Sequence, residues 1–379
     1  MPMRVAILGA GPAGLYLAYL LKRRRRDIDV HVVEQNPPDA TFGFGVVFSD
    51  RALEFLDEDD PETHAAIAPH LESWHDIQIT QGGETVRIDG VGFAAIERLH
   101  LLRLLQARAA SVGVEPVYRR TVTALDELGP ADLIVAADGV SSLVRNAFQQ
   151  EFGASTSHLT NRFAWFGTTQ RFEALTQTFR STRHGFFNAH HYRYAPNMST
   201  FIVEVDEPTF RSAGLDRLDE ARSCALCEEV FAAELDGHKL IANRSIWRQF
   251  PQVHNRHWHH GHHVLVGDAL RTAHFSIGSG TRLAMEDAIA LDRALAAHDD
   301  AATPALAAYE AGRRPVVEKL VRAANASGAW YEHFAAHMRL APLDFAMSYI
   351  TRSGRIDRER LRQVSPHFVA AYEAARPEG

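Results

Sequence analysis

An apolar run from Arg4 to Leu8 is followed by a glycine-punctuated turn, helical spacing of apolar residues from Ala13 to Leu21, and a second short run from Asp29 to Val33. Short runs fit buried strands and the 3.6-residue period fits a helix, so this opening predicts a strand, tight turn, helix, strand unit. Asp76 to Thr80 and Thr85 to Ile88 flank Gly82-Gly83 and predict a hairpin, which leads into a helix from Glu97 to Val112. Leu133 to Ala137 predicts a further strand ending at Asp138-Gly139. From Arg162 to Val205 the pattern turns to alternation rich in aromatics, among them Phe163, Trp165, Phe186, Tyr192, Tyr194 and Phe201, as in antiparallel sheet. A helix near Asp216 to Leu235, strands around Ser245 to Phe250 and Val264 to Val266, and helical sequence thereafter complete the pattern.

This order predicts an α/β protein in which a Rossmann-like nucleotide-binding domain is interleaved with a mainly antiparallel β-sheet substrate domain and closed by a C-terminal helical region. The first takes residues 1–75, 95–160 and 255–300, the second 76–94 and 161–254, and the third 301–379. A chain of 379 residues exceeds what one core usually serves, which suits two interlocked domains. With 46% apolar and 23% charged residues, it has the material to fold throughout.

The net charge of -7 disfavours nucleic acid, whose binders gather cations to replace phosphate counterions, and favours a small-molecule substrate. No window reaches the roughly 18 to 20 uninterrupted apolar residues of a membrane span, and the first strand begins too early for a leader, so a cytoplasmic protein is expected. A monomer or homodimer is the expected state. Cys224 and Cys227 are the only cysteines and lie in a helical run, so neither a disulfide framework nor a redox or zinc role is expected. The histidine-rich run His254, His257, His259, His260, His262 and His263 reads as polar loop rather than as a metal site.

Gly9-Ala10-Gly11-Pro12-Ala13-Gly14 follows the first strand and opens the first helix, the context in which G-x-G-x-x-G is a dinucleotide fingerprint. Gly9 allows the turn, Gly11 leaves room for a pyrophosphate, and Gly14 lets helix and strand pack closely. The free N–H groups and dipole of the helix start attract the phosphates. Glu34, twenty residues past Gly14 at the end of the second strand, suits ribose hydroxyls. The basic run Lys22 to Arg26 reads as solvated cations complementing the helix C-terminus.

Two further motifs follow in order. Asp138-Gly139-Val140-Ser141-Ser142-Leu143-Val144-Arg145 resembles the D-G-x-x-S-x-x-R element, and Gly267-Asp268-Ala269 with Gly278, Gly280 and Asp287 resembles the G-D motif, of the flavoprotein monooxygenases typified by p-hydroxybenzoate hydroxylase. The blocks Phe42 to Asp50, Met198 to Glu204, Thr272 to Gly280 and Thr351 to Gly354 resemble the branch of salicylyl-CoA 5-hydroxylase and the monooxygenase half of 2-aminobenzoyl-CoA monooxygenase/reductase. The violacein-pathway tryptophan-derived hydroxylase is similar across the middle and G-D blocks. Leu270-Arg271, Phe275 and Arg282 depart from residues common in the wider family.

The resemblance implies a Rossmann-like FAD-binding domain, FAD as cofactor, NADH or NADPH as electron donor, and O2 as co-substrate. It implies ring hydroxylation through a flavin C4a-hydroperoxide, with 5-hydroxylation of salicylyl-CoA to gentisyl-CoA as the specific reaction. It extends the cofactor set beyond the fingerprint and Glu34 to Gln35, Val47, Arg98, Asp138, Gly139, Gly267, Asp268, Gly278, Gly280 and Thr281. His274, His190 and Tyr192 are the catalytic candidates, and Trp165, Phe187, Phe201 and Phe275 the substrate wall. A free indole or phenolic substrate is the alternative, and a non-catalytic flavin-binding sensor the rival of another class. No W-x-W-x-I-P signature of a halogenase and no C-x4-C pair of a disulfide reductase is present.

Overall fold

A computed structural model describes residues 2–41, 43–49 and 53–376. Phe42 and Asp50, the ends of one quoted block, lie outside the described residues. In chain order the strands are β1 (Arg4–Leu8), β2 (Asp29–Val33), β3 (Gly45–Ser49), β4 (Glu72–Trp74) and β5 (Ile77–Gln81). Next come β6 (Glu84–Ile88), β7 (Phe93–Glu97), β8 (Leu133–Ala136), β9 (Ala154–Thr168), β10 (Leu175–Thr182) and β11 (Gly185–Ala195). The last are β12 (Met198–Val205), β13 (Leu240–Ala242), β14 (Arg248–Asn255), β15 (His259–His260) and β16 (His263–Leu265).

The first sheet has the order β15-β16-β8-β1-β2 and is parallel except at its β15 edge. β8 is buried along its whole length, as the parallel-sheet pattern demands, and the Pro12–Arg24 helix buries nine consecutive residues from Ala13 to Leu21. Gly9 adopts φ +103°, which places the turn in glycine territory, and a Cβ on Gly14 would stand 2.0 Å from the Gly9 carbonyl oxygen. Helix and strand therefore touch backbone to backbone. The basic run at the helix end is not merely solvated. Arg24 pairs with Asp292 at 2.8 Å and Asp300 at 2.7 Å, and Arg23 with Asp60 at 2.9 Å.

The second sheet runs β13-β9-β12-β11-β10-β5-β6, with β14 also on β9, and all its pairs are antiparallel except β10 with β5. Its side chains alternate between two faces. Phe166, Phe187, Ala189, Phe201 and Val203 pack on one face with Phe231 and Cys227 from the helical segment below. His190, Tyr192, Ile202 and Trp165 belong to the other face, which looks toward the first sheet.

A three-stranded sheet of β3, β7 and β4 bridges the two and was not foreseen from the pattern. Its strands are too short and too separated in sequence for periodicity to reveal their pairing. The expected Asp216–Leu235 helix is two pieces, Glu220–Val230 and Ala232–Leu235, and β14 begins three residues later and runs longer than expected. The Ala302–Glu332 helix spans 31 residues and carries Arg313, Ser327 and Tyr331 toward the interior. Among the described residues no helix is long and apolar enough to cross a membrane.

Gly14→Ala is expected to lower folding stability by about 2 to 3 kcal/mol, because backbone atoms cannot yield to the new methyl group. A thermal melt checks this, and an unchanged midpoint would show that strand and helix can separate at no cost.

Candidate active site

The face between the two sheets encloses a cavity of about 640 Å³, and a smaller one of about 160 Å³ adjoins it across Gly11, Pro12, Val46, Arg98 and Thr281. At the fingerprint, Gly9 and Gly14 are forced by protein contacts, but a Cβ on Gly11 would meet no protein atom within 4 Å. The open space above Gly11 is the volume that a close-lying pyrophosphate needs. Glu34 lines the smaller cavity. Its carboxylate accepts from the Ala10 N–H at 2.9 Å and from the Asn36 backbone and side-chain N–H groups, both at 2.8 Å, so it is fixed in place before any ligand arrives. Gln35 is exposed and lines neither cavity; Asn36 takes the place expected of it, since consecutive residues leaving a strand point in opposite directions.

Across the cavity, Gly267 adopts φ +60° and its N–H donates to the buried Asp287 carboxylate at 3.0 Å. Arg271 closes on the same carboxylate at 2.7 Å and on the Gly267 carbonyl at 2.7 Å, and Arg313 reaches it at 3.1 Å. The unusual Arg271 is thus turned inward, away from the cavity. Asp268 remains facing the cavity. Its side chain is open to that space. Crowding by the surrounding walls pushes its carboxyl above the usual carboxylate range, partly opposed by Arg271 and Arg98, while burial pulls the Arg98 guanidinium down against the opposing pull of Asp268.

The D-G-x-x-S-x-x-R element has a structural explanation. Asp138 accepts from Leu143 N–H at 2.7 Å, Ser142 caps Arg145 N–H at 3.1 Å, and Arg145 donates to the Val140 carbonyl and, at 3.0 Å, to the Ala269 carbonyl. Asp138 itself lines no cavity; it shapes the turn that brings Gly139, Val140 and Ser141 to the wall and ties it to the Gly267 corner. Val47, Arg98, Gly278, Gly280 and Thr281 all line the main cavity.

The far half of the cavity is walled by Phe163, Trp165, Tyr192, Ile202 and Phe275. Trp165 and Phe275 stand where expected. Phe187 and Phe201 do not. Each is fully buried on the opposite sheet face, because β11 places Phe187 an odd number of residues from His190 and β12 pairs Phe201 with Phe166 rather than Trp165.

Tyr192 and one ring nitrogen of each histidine are engaged by protein groups, whereas His190 Nε2 has no hydrogen-bond partner among the described residues. The Tyr192 hydroxyl donates to the Gly45 carbonyl at 3.1 Å. His190 lines the cavity with its ring, while its Nδ1 meets Gln177 Nε2 at 2.9 Å and its Nε2 lies 3.8 Å from a Glu204 carboxylate oxygen. His274 lies outside the cavity wall. It stacks on Phe275 at 4.3 Å, and its Nδ1 is 2.7 Å from Ser276 Oγ, which meets Ser327 Oγ at 2.7 Å. Burial pulls the imidazoles of His190 and His274 down to about 3 and about 4, so both are neutral near pH 7.

Two residues here were given no role from the sequence. Gln177 lines the cavity and links His190 to the Tyr331 hydroxyl, which donates to Gln177 Oε1 at 3.1 Å. Arg352, inside the quoted C-terminal block, donates to Ser327 Oγ and to the Ser276 carbonyl, both at 2.9 Å, and so pins the loop that carries Phe275. Cys224 and Cys227 stay remote in a helix, and burial pushes the Cys224 thiol up to about 11. Among the described residues, no three His, Cys, Asp or Glu side chains converge as a metal set.

This arrangement has relatives. A family model described as "FAD binding domain" matches residues 92–324, and one described as "NAD(P)-binding Rossmann-like domain" matches residues 7–38. The chain is 44% identical over 361 residues to a salicyloyl-CoA 5-hydroxylase of Streptomyces sp, covering 93% of this chain and 70% of the relative. It is 37% identical over 329 residues to a 3-hydroxy-4-methyl-anthranilyl-aryl-carrier-protein 5-monooxygenase of Streptosporangium sibiricum, covering 87% of this chain and 89% of the relative. Its fold matches that of 2-methyl-3-hydroxypyridine-5-carboxylic acid oxygenase with a TM-score of 0.72 at 18% identity, covering 98% of each chain. The protein is therefore an enzyme, and the chain belongs to the FAD-binding-domain family of flavoprotein aromatic monooxygenases.

Proposed function

We propose that the protein hydroxylates the ring of an aromatic acyl thioester, with 5-hydroxylation of salicylyl-CoA as the reaction. The observation that carries this is one continuous cavity running from Gly11 and Asp268 to a chamber of Phe163, Trp165 and Phe275. Two relatives are named for aryl thioesters, one on CoA and one on a carrier protein, and both names specify the 5 position.

The residues fit FAD. In this reading the Gly11 opening and the adjoining Pro12–Arg24 helix start hold the pyrophosphate, and Glu34 with Asn36 takes the adenosine ribose. Asp268 would hold the ribityl chain, and Gly278 to Thr281 of the cavity wall would hold the ring system. Bound FAD would supply hydride acceptance from NADH or NADPH and activation of O2, chemistry that no side chain offers.

The protein's own part is orientation and exclusion of water. Phe275 is clamped between Phe163, at 4.9 Å, and His274, and Arg352 fixes the loop behind it, so the ring wall is rigid. His190 and His274 act as neutral positioning groups. Tyr192 holds β3 and, through it, Val47 against the cofactor space.

Purified protein given NADH and salicylyl-CoA is expected to form product one oxygen heavier, whereas indole substrates are expected to give little. NADH use unaffected by either thioester or indole would favour the flavin-binding sensor. Asp268→Ala is expected to lose most bound FAD while keeping its melting profile under flavin-free conditions; full flavin content in that variant would remove Asp268 from the site. For His274→Ala, flavin reduction is expected near normal, with product per NADH falling several-fold as Phe275 loosens. An unchanged ratio would separate His274 from the chamber.

Both imidazoles also set a pH dependence. The unfolded chain takes up protons near pH 6.5, whereas the folded His190 and His274 resist until about 3 and about 4, so stability is lost as pH falls through 6.5. The melting temperature should decline from pH 7 to pH 5, and His190→Gln should shrink that decline; a variant with the same slope would show that His190 is freely protonated.

A further inference from the structure

We propose that Arg248 binds the phosphate-bearing arm of the substrate at the cavity mouth, an inference that rests on the aryl-thioester reading above. The cavity wall holds three side chains of fixed charge, Arg98, Asp268 and Arg248. Arg98 and Asp268 lie within the cleft, where each offsets part of the other's desolvation, although no ion pair joins them among the described residues. Arg248 is exposed, and among the described residues its side chain has no hydrogen bond, ion pair or ring partner. Its arginine neighbours on the same sheet are neutralised. Arg162 pairs with Glu207 at 3.0 Å, Arg193 with Glu72 at 2.8 Å, and Arg180 with Glu234. An unpaired guanidinium on the rim of a substrate cavity is thus a local exception that asks for an anion.

Its mounting is rigid. Arg248 opens β14 in register with Phe163 of β9, which is itself a wall of the ring chamber. The preceding segment is tied down by Ser245, whose N–H donates to Glu220 at 2.7 Å and whose hydroxyl donates to the Trp165 carbonyl. Asn243 adds a bond to the Thr41 carbonyl at 3.3 Å. The backbone that carries the guanidinium is therefore fixed relative to the aromatic walls, and the side chain is free to turn toward an incoming anion.

An aryl group seated against Phe163 and Phe275 leaves its thioester arm to exit past this rim. In CoA and in carrier proteins that arm is a phosphopantetheine, long and uncharged until its phosphate, and a guanidinium meets phosphate with a two-pronged geometry that an ammonium lacks. The exposed setting makes the gain modest, about threefold in affinity.

The test compares salicylyl-CoA with salicylyl-N-acetylcysteamine, which keeps the ring and thioester and lacks every phosphate. For Arg248→Ala holoenzyme, the ratio of kcat/KM for the CoA ester to that for the short ester is expected to fall about threefold, chiefly through KM, and to weaken with added salt in the wild type. Arg248→Lys is expected to recover part of the ratio. A salicylyl group on a carrier protein separates the sources. The same loss there assigns the shared phosphopantetheine phosphate, and loss confined to CoA assigns its nucleotide phosphates. An unchanged ratio overturns the proposal while the thioester reading stands. If the wild type hydroxylates neither ester, that reading falls and this inference with it.

Discussion

The buried carboxylate of Asp287 is the constraint on which the site depends. It receives the Gly267 N–H at 3.0 Å, Arg271 at 2.7 Å and Arg313 at 3.1 Å, and so joins the turn after β16, the Gly280–Ala297 helix and the long Ala302–Glu332 helix at one point. A buried charge that loses its partner typically costs about 3 to 5 kcal/mol, which makes the arrangement close to all-or-none. Because Asp287 and Arg271 consume each other, Asp268 beside them is left facing the cavity. Arg145 extends the same tie to the Asp138-Gly139 turn through the Ala269 carbonyl. Two motifs far apart in sequence are thus one mechanical unit.

The second sheet separates tasks by face. One face packs Phe187, Phe201 and Phe231 into a core, and the other presents His190, Tyr192 and Trp165 to the chamber. Its polar groups are mostly engaged with each other rather than with the cavity, through Gln177, Tyr331, Glu204 and Asn161, whose side-chain N–H donates to Glu204 at 2.9 Å. The ring wall itself is mainly apolar, with Phe163, Trp165, Ile202 and Phe275 facing the chamber, although Trp165 Nε1 and His190 Nε2 have no hydrogen-bond partner among the described residues. That suits chemistry in which stray water is the main competitor.

How much of this was legible in the sequence follows from the range of each interaction. The fingerprint, the first helix and β1, β2 and β8 were readable because turn chemistry and hydrophobic period are local. The G-D corner was readable through its resemblance to a family, and the comparisons bear out that family and the enzyme class. Phe187 and Phe201 were misplaced although the signal was present. A strand that shows His190 and Tyr192 to a cavity cannot also show Phe187 there, since faces alternate residue by residue. The roles of Arg271 and Arg352 were not readable, because each acts through a partner on another element, 16 residues away in Asp287 for Arg271 and 25 and 76 residues away in Ser327 and Ser276 for Arg352. The β3-β7-β4 sheet escaped for the same reason.

The central claim is that this cavity directs one atom of O2 into an aromatic ring. The direct measurement is mass analysis of the ring product formed with NADH under isotope-labelled O2 and, separately, in isotope-labelled water. The account predicts label in the new hydroxyl from O2 and none from water. Label from water, or consumption of NADH and O2 with no labelled ring product, would contradict it.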